Sequence, residues 1–115
     1  MEVQPREVQI YFTSDGRSPF ENWLNSLRDN QGKAIIRPRL KRVATRNLGD
    51  WRSVGEGIYE FRIKFGPGYR VYFGQVGSTI VLLLGCGDKS SQEQDIRMAK
   101  AYWEDYRRQE DATVD

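Results

Sequence analysis

Basic side chains with a spacing suited to phosphate binding lie in the segment Ile58–Phe73, which reads IYEFRIKFGPGYRVYF. Side chains alternate between the two faces of a β-strand, so Arg62 and Lys64 share one face while their apolar neighbours point the other way. A turn over residues 66–68 would then place Lys64 directly opposite Arg70. Because like charges opposite each other destabilise a sheet, this concentration of positive charge predicts an anionic ligand such as a phosphate.

These cations could support cleavage of an RNA phosphodiester without a metal ion. Clustered Arg and Lys side chains stabilise the extra negative charge that a phosphate carries in the transition state. Lys64, crowded by Arg62 and Arg70, is the candidate base because neighbouring cations favour loss of its proton. Tyr72, which the same turn places opposite Arg62, could orient a 2′-hydroxyl or stack on a base. The alternative is structural: Arg62 pairs with Glu60 or Glu56 on an exposed face, and Tyr72 is an ordinary sheet aromatic.

Two residue types that dominate catalytic and metal sites are scarce in this chain. It has no histidine, the commonest general acid–base and metal ligand, and a single cysteine, Cys86. One cysteine excludes an internal disulfide and, without histidine, leaves too few ligands for zinc. A glycine-rich nucleotide loop is also missing from the sequence. We therefore expect no metal and no cofactor, with Cys86 as a small buried residue.

Positive charge is also concentrated outside the hairpin segment. The net charge is only +2, but residues 31–49 contain six cations and no acid. Such a stretch on a helix can contact the backbone of RNA without reading its sequence. The alternative is that it forms the solvated face of a helix. The candidate RNA-binding residues are Lys33, Arg37, Lys41 and Arg46.

Three helices are predicted from capping residues and apolar spacing. The first begins at Ser18, whose hydroxyl can cap it. The second spans about Lys33–Leu48 and contains Pro38, which predicts a kink or a displaced helix start. The third begins near residue 90 and packs an apolar stripe on the sheet. We expect residues 109–115 to form a disordered tail.

Apolar and aromatic residues with period two predict the strands Val8–Thr13, Trp51–Val54, Ile58–Phe65, Tyr69–Val76 and Ile80–Gly85. With the short Trp51–Val54 strand left aside, the element order is β-α-α-β-β-β-α. Residues 1–115 are thus expected to form a single α+β domain with a mostly antiparallel sheet, an N-terminal helical hairpin and a C-terminal helix. One face of the sheet should be covered and the other more open.

No segment of the chain predicts membrane insertion or secretion. The longest apolar run, Ile80–Leu84, is much too short to cross a bilayer. The first residues, MEVQPREVQ, include acids and have no apolar core, so we expect no signal peptide. Together with the single cysteine, these features predict a cytoplasmic protein.

Two motifs together resemble the RelE/ParE superfamily of toxins from bacterial type II toxin–antitoxin systems. One is the hairpin YEFRIKFGPGYRVYF, and the other is LLLGCGDKSSQEQDI followed by AKAYWEDY. With the predicted element order, they are most similar to the HigB-like branch, whose members are often labelled addiction-module killer proteins. The resemblance covers Val8–Tyr106 and implies a RelE-like fold.

The resemblance also implies a function, partners and site residues. A toxin of this kind would cleave mRNA on the ribosome without a metal, and a cognate HigA-like antitoxin with a helix-turn-helix domain would neutralise it. Arg62, Arg70 and Lys89 match basic positions of the branch, so the candidate catalytic set is Arg62, Lys64, Arg70, Lys89 and Tyr72. Two alternatives remain open: a ParE-like inhibitor that binds DNA gyrase without catalysis, and an inactive module that only binds a partner.

Overall fold

A mixed five-stranded sheet carries helices on both of its faces. A computed structural model describes residues 7–44, 51–77 and 80–113. The strands are β1 (Glu7–Ile10), β2 (Trp51–Gly55), β3 (Ile58–Ile63), β4 (Tyr69–Val76) and β5 (Ile80–Gly87). The helices are α1 (Pro19–Ser26), α2 (Asn30–Ala44) and α3 (Gln92–Thr113), with a 3₁₀ turn at Lys89–Ser91 before α3.

The strands lie in the spatial order β1-β5-β4-β3-β2. The first strand runs parallel to the last one, with Glu7 paired to Ile80. The other three pairings are antiparallel. The sheet therefore joins β1 to β5, the first and last of the described strands, and places β2 at the opposite edge.

The predicted fold class is wrong. The protein is a mixed α/β protein whose sheet already contains β1, and β2 adds a fifth strand to the expected order. No helical hairpin precedes this sheet in the described part of the chain. Helix α1 packs on β5, and α2 packs near β1. Each helix therefore packs mainly on the sheet and not on the other helix. The physical reason is that the apolar residues of both helices find their partners on the strands.

Each face of the sheet has its own apolar core, so the expectation of one open face is also wrong. Side chains of α1 and α2 meet one face of the strands, and the buried residues there are Phe20, Leu24, Ile36, Phe61, Ile63, Tyr69, Val71, Phe73, Val81, Leu83 and Cys86. Helix α3 covers the other face, where the buried residues are Tyr11, Ile58, Tyr72, Leu82, Leu84 and Ala99. Polar side chains of the strands are consequently enclosed along part of the sheet.

The β3–β4 hairpin forms as predicted, but its register differs by two residues. Arg62 lies opposite Arg70, and Glu60 lies opposite Tyr72. The prediction that Lys64 faces Arg70 and that Arg62 faces Tyr72 is therefore wrong. Because side chains alternate with a period of two, a shift of two residues leaves every side chain on its predicted face.

A longer turn than expected explains this register. The last hairpin pair is Ile63 with Tyr69, so the turn spans residues 64–68. Within it, the N–H of Gly68 donates to the carbonyl of Phe65 at 3.0 Å. Gly68 has φ +83°, a conformation that favours glycine. Phe65 packs its ring against the core instead of pairing across the hairpin.

The ends of the helices were predicted with uneven success. The Ser18 cap is confirmed, since its hydroxyl oxygen accepts from the N–H of Glu21 at 3.2 Å. Helix α2 begins at Asn30 and runs through Pro38, so this proline does not displace the helix start. Helix α3 continues to Thr113. The expectation of a disordered tail is therefore wrong for residues 109–113, and residues 114–115 lie outside the described chain.

A close contact between the sheet and α3 predicts the effect of one substitution. A Cβ atom added at Gly74 in β4 would overlap the indole ring of Trp103, whereas one added at Gly85 in β5 would meet no atom within 4 Å. We expect Gly74→Ala to lower the free energy of unfolding by about 2 kcal/mol, the usual scale of overpacking. Gly85→Ala, the matched control, should change it little. Urea unfolding of both variants measures the difference, and equal stabilities would contradict this packing.

Candidate functional site

Three neighbouring strands bring basic residues to one end of the sheet. Arg62 of β3 lies directly opposite Arg70 of β4. Arg70 in turn lies opposite Gly87, at the end of β5. Lys89 begins the 3₁₀ turn that follows this strand. The predicted residues Arg62 and Arg70 are thus adjacent, and Lys89 follows the strand end beside them.

A small recess lies beside this arginine pair, at the tip of the hairpin. Its volume is about 120 Å³, and its lining residues are Arg62, Ile63, Lys64, Gly68, Tyr69 and Arg70. We call it the arginine recess. Arg70 is only 9% exposed, whereas Arg62 is partly buried and Lys64 is exposed. Positive charge therefore lines the recess at several depths.

The guanidinium of Arg70 is held in place yet incompletely bonded. Its Nη1 donates to the carbonyl of Gly68 at 3.1 Å. Its Nε is buried and has no hydrogen-bond partner among the described residues. The nearest opposite charge is Oε2 of Glu60, 3.7 Å from that Nε, which is beyond hydrogen-bond range. Buried polar groups are nearly always bonded, so this Nε is an exception, and its charge is compensated only by the approach of Glu60.

Glu60 is the centre of a buried polar cluster that the sequence analysis missed. Its side chain has no exposed surface. Oε1 accepts from Nε of Arg52 at 3.0 Å, while Oε2 accepts from the hydroxyl of Tyr72 at 3.0 Å and from Nε2 of Gln92 at 2.9 Å. We call Glu60, Arg52, Tyr72 and Gln92 the Glu60 cluster. It connects β2, β3, β4 and the first residue of α3.

A cross-strand charge pair was the sequence signal that could have revealed this cluster. Arg52 lies opposite Glu60 in the β2–β3 pairing, and opposite charges at such positions attract. The signal depends on recognising Trp51–Gly55 as a full strand of the sheet. Gln92 has no comparable signal, because only the placement of α3 brings it to Glu60.

The hydrogen bonds of the cluster determine the charge states of its members. Burial alone would raise the pKa of the Glu60 carboxyl, but bonds from Gln92, Arg52 and Tyr72 outweigh burial and hold the pKa below its usual value. Burial and the charge of Glu60 raise the pKa of Tyr72 far above its usual value. Glu60 is therefore an anion at neutral pH, and Tyr72 is a neutral donor.

The predicted direct role of Tyr72 is wrong. Its side chain is fully buried, and its hydroxyl is engaged by Glu60. It can neither stack on a base nor reach a 2′-hydroxyl. The reason is the register of the hairpin, which places Tyr72 opposite Glu60 and beneath α3.

Lys64 and Lys89 occupy exposed positions at the rim of this region. Lys64 follows the last residue of β3 and belongs to the hairpin turn. Lys89 is the first residue of the 3₁₀ turn, whose cap is the side chain of Asp88. Both are accessible to a ligand, and their roles in catalysis remain predictions.

The basic residues of α2 belong to a separate surface. Arg37 and Lys41 are exposed, and Nζ of Lys33 lies 3.4 Å from the carbonyl of Asn25. Arg46 lies outside the described residues. Ile36 of α2 packs with Phe61 and Ile63, on the face of the sheet opposite to Arg62. None of Lys33, Arg37 and Lys41 lines the arginine recess, although Gly32 at the start of α2 lies close to Tyr69 of the hairpin.

The described residues contain neither a metal-binding cluster nor a membrane-spanning helix. Within these ranges, no group of three or more histidine, cysteine, aspartate or glutamate side chains is arranged to hold a metal ion. Cys86 is buried as a free thiol, and burial raises its pKa above the usual value. No helix in the same ranges is both long enough and apolar enough to span a membrane.

The fold and the site together define a mixed α/β protein with an arginine-lined recess built beside a buried carboxylate. No model of a known protein family matches the chain. The sequence is 47% identical, over 81 residues, to an uncharacterized protein of Haemophilus influenzae. The match covers 70% of this chain and 82% of that protein. The chain belongs to the same family as the Haemophilus influenzae protein.

The charge state of Glu60 predicts how stability depends on pH. Its pKa is lower in the folded protein than its usual value of 4.5, so the folded state binds fewer protons than the unfolded state. The resulting stabilisation is present above pH 4.5 and is lost as the pH falls toward the lower folded-state pKa. We expect Glu60→Gln to lower the free energy of unfolding at pH 7 by about 2 kcal/mol. As the pH falls, the free energy of unfolding should decrease less in this variant than in the wild type.

Urea unfolding of the wild type and Glu60→Gln between pH 7 and pH 3 measures this difference. Other carboxylates contribute equally to both proteins and cancel in the comparison. Glu104→Gln, on the exposed side of α3, is the matched control and should behave like the wild type. A constant stability difference across the whole pH range would contradict the ionised state of Glu60.

Proposed function

We propose that this protein is a toxin of the RelE/ParE superfamily, from a type II toxin–antitoxin module, that cleaves mRNA on the ribosome in the cytoplasm. A cognate HigA-like antitoxin with a helix-turn-helix domain would neutralise it. The observation that carries the proposal is the pairing of Arg62 with Arg70 beside the arginine recess. Two arginines directly opposite each other repel, and a bound phosphate would remove that repulsion.

The size and chemistry of the arginine recess suit a single phosphate group. Its volume of about 120 Å³ is well above the roughly 10–15 Å³ that a cavity needs to hold one water. Arginine binds phosphate oxygens through a planar fork of N–H donors. A buried, preorganised cation also stabilises developing negative charge more strongly than a solvated one. Arg70 has this environment.

In the proposed reaction the 2′-oxygen of a ribose attacks the adjacent phosphorus. Its bond to phosphorus forms as the bond from phosphorus to the 5′-oxygen breaks, which leaves a cyclic phosphate and a 5′-hydroxyl. Arg62 and Arg70 neutralise the phosphate, Lys64 accepts the proton of the 2′-hydroxyl as its free amine and becomes an ammonium, and Lys89 helps to position the strand. The recess opens to solvent, so water supplies the proton to the departing 5′-oxygen. No metal or cofactor takes part in this scheme.

Two substitutions at the arginine pair test the proposal. We expect Arg62→Ala and Arg70→Ala each to slow mRNA cleavage by about a hundredfold or more, the usual cost of removing a group that stabilises transition-state charge. Induced expression, growth measurement and mapping of new 5′ ends on translated messages provide the assay. Arg17→Ala is the matched control, because Arg17 is exposed and pairs with Asp15; it should retain full activity.

Several outcomes of this experiment would contradict the proposal. Folded variants at both arginines that still arrest growth and cleave translated mRNA would remove the site assignment. Growth arrest by the wild type with intact mRNA and loss of DNA supercoiling would indicate a gyrase inhibitor. Absence of any toxicity from the wild type would indicate a module that only binds its partner.

The basic surface of α2 is proposed to contact RNA backbone away from the cleavage site. Lys33, Arg37 and Lys41 are spaced by four residues, which places them along one side of a helix. We expect Arg37→Ala combined with Lys41→Ala to weaken RNA binding mainly at low salt. Each lost phosphate contact should reduce the slope of log affinity against log salt concentration by about 0.7 on single-stranded RNA. Binding titrations across a salt series measure this slope, and an unchanged slope would exclude the α2 contact.

A further inference from the structure

We propose that Glu60 is a positioning residue for the arginine recess. It attracts Arg70 by charge, while Tyr72 and Gln92 occupy the carboxylate oxygen that Arg70 would otherwise bind. The guanidinium is thereby held near one place, and the Nη N–H groups that do not bond Gly68 remain for a phosphate. The effect on cleavage rests on the proposed function, whereas the effect on Arg70 itself can be measured without it.

The oxygen of Glu60 that lies nearest Arg70 has no acceptor site left. Each oxygen of an ionised carboxylate has about two acceptor sites. On Oε2 of Glu60 these are used by the hydroxyl of Tyr72 at 3.0 Å and by Nε2 of Gln92 at 2.9 Å. Nε of Arg70 approaches the same oxygen only to 3.7 Å. The arginine is therefore close enough to be attracted but too far away to be bonded.

Burial strengthens the attraction between Glu60 and Arg70. Glu60 has no exposed surface, and the side chain of Arg70 is 11% exposed. Charges interact more strongly at such sites than in water, because the surroundings screen them less. Without the carboxylate, Arg70 would face Arg62 across the hairpin with less compensating charge. Glu60 thus offsets the repulsion that would otherwise push the guanidinium away from the recess.

The two competing donors come from different parts of the fold. Tyr72 belongs to β4, and Gln92 is the first residue of α3. Both act from outside the recess, since Tyr72 is fully buried and Gln92 does not line the cavity. If either donor is removed, an acceptor site on Oε2 becomes free. Arg70 can then move onto it and turn the ion pair at 3.7 Å into a hydrogen-bonded one, which draws the guanidinium away from a ligand.

Conservative variants of the cluster separate positioning from stability. Tyr72→Phe and Gln92→Ala each remove one competing donor, whereas Glu60→Gln removes the charge and preserves the shape. Tyr11→Phe is the matched control, because Tyr11 is a buried tyrosine whose hydroxyl also donates to a carboxylate of α3, that of Asp105. Tyr11 does not line the arginine recess. The assays are cleavage of a translated message in a cell-free extract and binding of a fully 2′-O-methylated RNA oligonucleotide, which cannot be cleaved.

We expect Tyr72→Phe to lower kcat by about tenfold or more. A positioning group that moves by about 1 Å can lower the reaction rate by about a hundredfold. Tyr11→Phe should leave kcat unchanged. Glu60→Gln should also lower kcat, and its binding of the oligonucleotide should change little, because the loss of a negative charge offsets the displacement of Arg70. A protein with both Glu60→Gln and Tyr72→Phe should have a kcat no lower than that of Glu60→Gln alone, because Tyr72 acts on Arg70 only by way of Glu60.

A nuclear magnetic resonance signal reports the position of Arg70 directly. The ¹H–¹⁵N signal of Nε, assigned with Arg70→Lys, should be resolved in the wild type because the group is buried. It should shift downfield in Tyr72→Phe as a direct bond to Glu60 forms, and it should broaden in Glu60→Gln. Tyr11→Phe should leave it unchanged.

The outcomes distinguish this inference from the proposed function. If the wild type cleaves no message, the proposed function fails, and the Arg70 signal with oligonucleotide binding still decides the role of Glu60. An Arg70 signal that is identical in the wild type, Tyr72→Phe and Glu60→Gln would overturn the inference. Equal losses of activity in Tyr72→Phe and Tyr11→Phe, in proportion to lost stability, would show that the cluster is only structural.

Discussion

The buried charge of Glu60 constrains one whole end of the molecule. An isolated ionised carboxylate is very costly to bury, so it must be paired and hydrogen-bonded. Its partners come from β2, β4 and the start of α3. All of these elements must be in place at once for the charge to be compensated. Strand register, helix placement and the location of Arg70 are therefore linked through one side chain.

Local signals in the sequence were sufficient for individual elements of the fold. The hairpin and the side of the sheet on which Arg62 and Arg70 lie follow from alternation with period two, and Ser18 follows from its capping chemistry. The register was predicted wrongly, because the hydrogen bond from Gly68 to Phe65 closes a turn inside the loop. That bond depends on glycine geometry, which residue type alone does not determine.

The rest of the site depends on packing between distant parts of the chain. Glu60, Arg62 and Lys64 alternate with apolar residues, a pattern typical of an exposed strand face. Helix α3 covers part of that face, so Glu60 is enclosed while Lys64 stays exposed. Likewise, the apolar sides of α1 and α2 are evident in the sequence, but their partners on the sheet are not. The burial of Glu60 and the packing of α1 and α2 were misjudged for the same reason. Both depend on contacts between residues that are far apart in the sequence.

The parallel pairing of the first and last strands has a consequence for synthesis of the protein. Glu7 pairs with Ile80, so β1 cannot take its place until β5 has left the ribosome. Pairing over so long a sequence separation is intrinsically slow, because a large loop must close first. Gln92 emerges later still and completes the hydrogen bonds of Glu60. A nascent chain therefore stays incomplete at this end until the start of α3 has left the ribosome.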